Sequence, residues 1–197
     1  DIEHMNKNYN FEGYNYLDKD QIQDEIKTNL YTSGVLNTYS YHINPLKFLL
    51  GLAAQLKALN VKVFENTPIT KIINDKSGIK LFSESKMIKA NKVIVGCNGY
   101  LDKLLGNVRN KFMPINNYII ATEPLGEKRA RELIKHNHAV CDTRFIIDYY
   151  RFSEDWRLIF GGGETYSAMF VKNSKNFVQK RMYKVFPQLK NSKIDYS

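Results

Sequence analysis

Between Met113 and Phe160 the chain repeats one pattern: an apolar run of strand length, rich in β-branched and aromatic residues, closed by a turn. Met113-Pro114 opens the run Ile115 to Thr122, and Glu123-Pro124-Leu125-Gly126 closes it. Ala139 to Asp142, Arg144 to Phe152 and Arg157 to Phe160 are predicted strands, with Ser153-Glu154-Asp155 turning the chain between the last two. Gly161-Gly162-Gly163 is expected to end the sheet. Glu127 to His136 and Ser174 to Phe186 are predicted amphipathic helices, the second stopped by Pro187. Its apolar side carries Phe177, Val178, Met182, Val185 and Phe186. Sheet and helices together give an α+β (mixed α/β) class.

The first half reads differently. Asp1 to Gly13 is polar, and Lys19 to Leu30 is a predicted helix opened by Asp18. Asn44 and Pro45 are cap and first-turn residues for a second helix, along which Leu46, Leu49, Leu50, Ala53, Ala54, Leu56 and Leu59 recur. Val61 to Phe64 is a predicted buried strand. Ile69 to Ile73 and Ile79 to Phe82 are joined by the turn Asp75-Lys76-Ser77-Gly78, and Met87 to Ala90 follows. Lys92 to Val95 is uniformly apolar after its lysine, as a strand covered on both faces would be. Tyr100 to Leu105 reads as a short helical segment.

Charge raises one alternative. Lys and Arg number 29 against 20 Asp and Glu in 197 residues, a net +9. Residues 171–197 carry 7 basic and 1 acidic side chains, whereas residues 1–30 carry 3 basic and 7 acidic. A non-enzymatic module binding nucleic acid or anionic surfaces through the basic C-terminal helix would use that excess. Basic residues scattered over a solvated surface explain it as well, and nucleic acid is not the expected partner. An apolar fraction of 43% supports a packed core and excludes disorder as the main state.

Membrane and metal chemistry are not expected. The longest apolar cluster, Phe48 to Leu59, is broken by Gln55 and Lys57, short of the roughly 18 residues of a span. No leader pattern is visible at the start, and two cysteines make no disulfide framework, so a cytoplasmic setting is expected. His4, His42, His136 and His138 form no metal-ligand spacing with one another or with cysteine. Cys97 and Cys141 are expected to be small buried residues. Tyr149-Tyr150-Arg151 offers another chemistry. Alternation sends Tyr149 and Arg151 to one face, where an arginine beside an aromatic ring can hold a carboxylate, or can simply face solvent.

Five blocks in order carry a resemblance: Asn44 to Ala53; Phe64-Glu65-Asn66-Thr67-Pro68-Ile69-Thr70-Lys71-Ile72; Lys89 to Leu101; Met113 to Leu125; and Asp142 to Ser153 with Arg157 to Gly162. The chain resembles the FAD-dependent oxidoreductases of the D-amino acid oxidase superfamily, and within it gamma-glutamylputrescine oxidoreductase-like enzymes, over about residues 30–190. The resemblance implies an antiparallel substrate-domain sheet with flanking helices plus a partial, Rossmann-like FAD-binding portion. Residues 1–30 would be an N-terminal helical segment, 31–110 part of the FAD domain with a small hairpin, 111–190 the substrate sheet, and 191–197 the return toward the FAD domain. The N-terminal GxGxxG of such enzymes is not in this sequence, so the resemblance implies an internal fragment, not expected to retain FAD or to turn over alone. Ile69, Gly96, Cys97, Asn98 and Gly99 would lie beside the ADP part of FAD. Tyr118, Arg144, Tyr149 and Arg151 would face the substrate, a small amine or amino acid whose C–N bond is oxidised. No catalytic base is implied.

Overall fold

The computed structural model describes residues 2–101, 103–166 and 170–197. The segment expected to be helical from Tyr100 includes Asp102, outside those residues; Asn98–Tyr100 forms a single 3₁₀ turn. The chain divides into two units, one of Asp1–Asn44 with Ile115–Ser197, the other of Pro45–Pro114.

The first unit starts with α1 (Ile2–Tyr9), β1 (Tyr14–Leu17), α2 (Lys19–Glu25) and β2 (Gly34–Asn37). Strands β1 and β2 pair antiparallel, Tyr14 opposite Asn37. Helix α2 begins where the sequence placed it because Asp18 and Gln21 form a reciprocal cap. The Asp18 carboxylate accepts from Gln21 N at 2.9 Å, and the Gln21 side chain accepts from Asp18 N at 2.9 Å. It ends at Glu25 rather than Leu30, because Ile26 is extended and bridges Ile134.

The second unit holds α3 (Pro45–Ala58), β3 (Lys71–Asp75), β4 (Gly78–Phe82), β5 (Met87–Ala90) and α4 (Gly106–Arg109). Strands β3, β4 and β5 form an antiparallel meander with Asp75 opposite Gly78 and Phe82 opposite Met87. The turn is set by Asp75, whose carboxylate accepts from Ser77 N at 2.7 Å, and by Gly78 at φ +104°. Helix α3 starts at Pro45 as expected, but no residue of it is buried. Val61 to Phe64 and Lys92 to Val95 are not strands, and Ile94 is 97% exposed. Their apolar composition matches a buried strand, but no described strand pairs with them, and an unpaired strand leaves its backbone groups unsatisfied.

The first unit resumes with β6 (Asn116–Thr122), α5 (Glu127–Leu133), β7 (Val140–Cys141), β8 (Tyr149–Phe152), β9 (Leu158–Thr165), α6 (Ser174–Val185) and β10 (Ile194–Tyr196). The five strands make one antiparallel sheet in the order β10-β6-β9-β8-β7. Ile194–Tyr196 adds to the edge of this sheet, beside β6. The run Arg144 to Phe152 is a strand only from Tyr149. The Asp142 carboxylate accepts from Arg144 N at 3.2 Å and Asp148 N at 3.0 Å, folding residues 142–148 into a loop in place of an extended ladder.

One face of the sheet is core. Tyr118 and Ile120 of β6, Tyr150 and Phe152 of β8, and Leu158 and Phe160 of β9 are buried there with Val178, Met182 and Val185 of α6. The Tyr150 ring lies parallel to that of Phe160 at 5.2 Å and meets the edge of Phe186 at 5.3 Å. The apolar side of the basic C-terminal helix is thus spent on its own sheet. Each large side chain in this layer contributes about 1.5–3 kcal/mol of apolar burial.

Candidate functional site

The other face of the same sheet is open, and its residues follow from strand alternation. Register places Tyr149 of β8 opposite Gly161 of β9, and Gly161 opposite Ile119 of β6. The next row runs Arg151, Ile159, Ala121. Directly paired residues share a face, so Tyr149 and Arg151 stand together, about 7 Å apart along the strand. Ile119 is 48% exposed, and Tyr149 and Arg151 are half-buried.

Tyr149 is held down rather than left to swing. Its ring lies over Gly161, where a Cβ would collide with Cζ, Cε2 and the hydroxyl oxygen. Its hydroxyl donates to Asn117 Oδ1. Burial raises the Tyr149 phenol above its ordinary value near 10, and the Glu164 carboxylate adds to the shift. The group is therefore neutral at physiological pH. Arg151 donates to the Phe152 carbonyl at 3.2 Å and has no carboxylate within ion-pair distance among the described residues. A guanidinium with no counter-charge among the described residues, beside a neutral phenol and the isoleucines of two strands, suits a small carboxylate with an apolar or uncharged remainder.

The other two expected substrate residues are used differently. Tyr118 lies on the buried face, because it is one residue out of phase with Asn117 and Ile119. Its hydroxyl is shared between Thr165 Oγ1 at 3.0 Å and Val171 N at 3.1 Å, and its ring meets Phe177 at 5.9 Å. Arg144 is committed to two carboxylates. Its Nε donates to Asp142 Oδ2 at 2.6 Å, and its Nη2 donates to Asp148 Oδ2. Asp148 is fully buried and takes a second arginine, Arg181 of α6, at 2.6 Å. Arg181 also donates to the Ile146 carbonyl at 2.7 Å. The structure therefore separates the two arginines that sequence alternation could not: Arg144 fastens a loop, and Arg151 faces out.

The glycine triplet does not end the sheet; β9 runs through it to Thr165. Nor does it present a phosphate loop. Gly161 admits the Tyr149 ring, Gly162 admits the Asp148–Arg181 pair, and Gly163, at φ +84°, lies against the Phe177 ring. Sequence reasoning missed Asn117 and Asp148. Asn117 was visible as the polar residue of a strand whose neighbours alternate, whereas Asp148 needed the partner from α6, 33 residues away.

In the second unit, Ile69 is half-buried just before β3, and Gly96 and Cys97 lead into the 3₁₀ turn that Asn98, at φ +50°, and Gly99 begin. Cys97 is half-buried and Cys141 is exposed, so neither is the buried core residue expected of it.

Comparison with known proteins bears on both units. A family model described as "DAO: FAD dependent oxidoreductase" matches residues 1–197. The gamma-glutamylputrescine oxidoreductase of Escherichia coli (strain K12) is 35% identical over 181 residues, covering 91% of this chain and 42% of that protein. A probable oxidoreductase OrdL of Haemophilus influenzae (strain ATCC 51907 / DSM 11121 / KW20 / Rd) is 32% identical over 194 residues, 96% of this chain and 44% of that protein. The chain thus spans less than half the length of the curated relatives it matches. Among solved structures, glycine oxidase from Bacillus cereus ATCC 14579 covers 98% of this chain and 53% of its own, with TM-score 0.77 at 15% identity. L-proline dehydrogenase from P. horikoshii gives 0.70 at 20% identity, covering 98% of this chain and 53% of its own. These likenesses show that the fold is shared with that glycine oxidase and that L-proline dehydrogenase. No helix among the described residues is long and apolar enough to cross a membrane.

Proposed function

The chain belongs to the FAD-dependent oxidoreductase family, and from that premise we propose that the protein oxidises the C–N bond of a small carboxylate-bearing amine or amino acid, with Arg151 and Tyr149 receiving the substrate. The observation that carries this reading is the pairing, on the open face of the antiparallel sheet, of a fixed tyrosine and an arginine that has no carboxylate partner among the described residues. Arg151 would hold the carboxylate. Tyr149, whose proton is engaged by Asn117, would offer its oxygen as an acceptor toward the substrate's ammonium or amine. Ile119 and Ile159 would exclude water from the intervening carbon. Tyr118 and Arg144 support the sheet and the 142–148 loop.

The residues of the second unit fit a cofactor approached through the backbone. A Cβ added at Gly96 meets nothing within 4 Å, and one at Gly99 meets only Pro114 Cβ at 3.9 Å. Neither glycine is required by its described neighbours, which accords with close approach of a group from outside the chain. Gly96, Cys97, Asn98 and Gly99, with Ile69, would then lie along the ADP part of FAD. When bound, the flavin supplies the hydride-accepting chemistry. A piece holding only this part of the site would retain FAD poorly and would not turn over by itself. The demand of Arg151 for a carboxylate favours gamma-glutamylputrescine-like or amino acid substrates, which carry one, over simple amines.

The test is steady-state oxidation of paired substrates, with and without a carboxylate, by an enzyme of the relatives' length carrying this sequence. Arg151→Met should raise KM for the carboxylate-bearing member by about 10- to 100-fold, the worth of a charge-assisted hydrogen bond, and leave the other nearly unchanged. Equal effects on both substrates, or a full-length protein indifferent to FAD, would sink the reading.

A further inference from the structure

Three ligating side chains converge outside the substrate face. Glu25, at the end of α2, meets His136 and His138, which follow α5. His136 Nδ1 lies 2.7 Å and His138 Nε2 3.4 Å from Glu25 Oε2, and one ligand atom from each residue lies within 4.8 Å of the others. The two rings sit 5.7 Å apart, tilted by 50°.

The backbone under this cluster is fixed at both sides. Ile26 bridges Ile134, Lys27 N donates to the Leu133 carbonyl at 2.9 Å, and Lys135 N donates to the Glu25 carbonyl at 3.0 Å. Asn137, between the histidines, is left-handed at φ +57°, which brings both rings toward the same carboxylate. A third histidine, His42, holds the Asn137 carbonyl at 2.9 Å. The Asn137 side-chain oxygen is buried and has no hydrogen-bond partner among the described residues.

We propose that Glu25, His136 and His138 form a binding site for one Zn²⁺ ion that clips α2 to the segment after α5. Two imidazoles and a carboxylate are a borderline-soft donor set suited to zinc. Around a tetrahedral zinc the ligand atoms stand about 3.3 Å apart, given bonds of about 2.0–2.1 Å. The His138–Glu25 distance already matches, and the His136–Glu25 contact opens by about half an ångström to admit the ion. Side-chain exposures of 18% for Glu25, 34% for His138 and 55% for His136 leave a path for the ion and room for water as the fourth ligand. His136-Asn137-His138 alone did not announce the site, because the third ligand lies 111 residues before His136.

Tag-free, chelator-treated protein should be titrated with Zn²⁺ against a chromophoric chelator, and its thermal unfolding followed with and without the ion. We expect about one ion per chain and a rise in Tm with zinc. Glu25→Gln and His138→Asn should each weaken binding by about tenfold or more and abolish the rise, while His4→Asn leaves both unchanged. A cobalt titration provides a folding-independent check, since bound Co²⁺ should show visible d–d bands that His138→Asn removes. Absence of zinc binding by the parent protein, with the variants only lowering metal-free Tm, would leave a plain His–Glu ion pair and overturn the proposal. So would variants that bind zinc as the parent does.

Discussion

Arg181 Nε reaches Asp148 Oδ1 at 2.6 Å across position 162, where a side chain would fall against both groups. This contact ties α6 to the loop before β8, beneath the strand that carries Tyr149 and Arg151. Arg144 balances the other carboxylate oxygen. Asp148→Asn would strip Arg181 of its counter-charge and leave Arg144 with Asp142 alone. The expected loss is about 3 kcal/mol, the low end for a broken buried pair because both arginines reach solvent. Urea unfolding measures it, and a loss below about 1 kcal/mol, the worth of an exposed pair, would contradict a structural role.

Tyr149 depends on what is missing beneath it. Gly161→Ala should push the ring off β9 and break its bond to Asn117, costing about 1–3 kcal/mol as overpacking does. Tyr149→Phe should be much milder, since it removes only the hydroxyl. The two variants compared by denaturation separate sterics from hydrogen bonding; equal losses would contradict the steric account.

The turn of the small meander carries a pH signature. Hydrogen bonds from the Ser77 side chain, then from Lys80 and from Ser77 N, hold Asp75 down to about 2, against an ordinary 3.8. A lowered folded value favours the folded turn above pH 3.8, and the benefit disappears as pH falls through about 2. Carboxyl NMR titration should show this, and Ser77→Ala should move the Asp75 midpoint up toward 3.8. A midpoint unmoved by that change would show that the serine hydroxyl is not the cause.

Helix α2 starts on a reciprocal cap, and Asp18→Ala should therefore destabilise the first unit by about 1 kcal/mol. Asp18→Asn keeps an accepting oxygen and should lose less. Thermal melts of the two variants decide the point; identical melts would mean the cap contributes nothing.

Local patterns made the sheet unit readable. Turn residues at 123–126 and 153–155 bracketed the strands, and the period-2 alternation at Tyr149-Tyr150-Arg151 assigned the faces correctly. What the pattern could not supply was partnership over distance. Arg144 and Arg151 look alike in sequence, and only the folding of residues 142–148 around Asp142 and Asp148 tells the engaged cation from the available one. The triplet Gly161-Gly162-Gly163 looked like a stop because glycine weakens a strand in isolation. Its reasons lie on Tyr149, Asp148 with Arg181, and Phe177. In the second unit, Val61 to Phe64 and Lys92 to Val95 have the composition of buried strands, but composition does not provide a neighbouring strand to pair with.

Three adjacent glycines that make room for three different neighbours should also have three different suppressors. Damage from Gly161→Ala should be relieved by shrinking Tyr149, at the expense of the substrate face. Damage from Gly162→Ala should respond to shortening Asp148, whose Oδ1 would lie nearest the added Cβ, but not to any change at Tyr149. Gly163→Ala should resist both, and trimming Phe177 should rescue it only in part, because the backbone at φ +84° disfavours any Cβ. A second-site revertant screen would read the packing of this sheet as three independent genetic interactions, one residue apart.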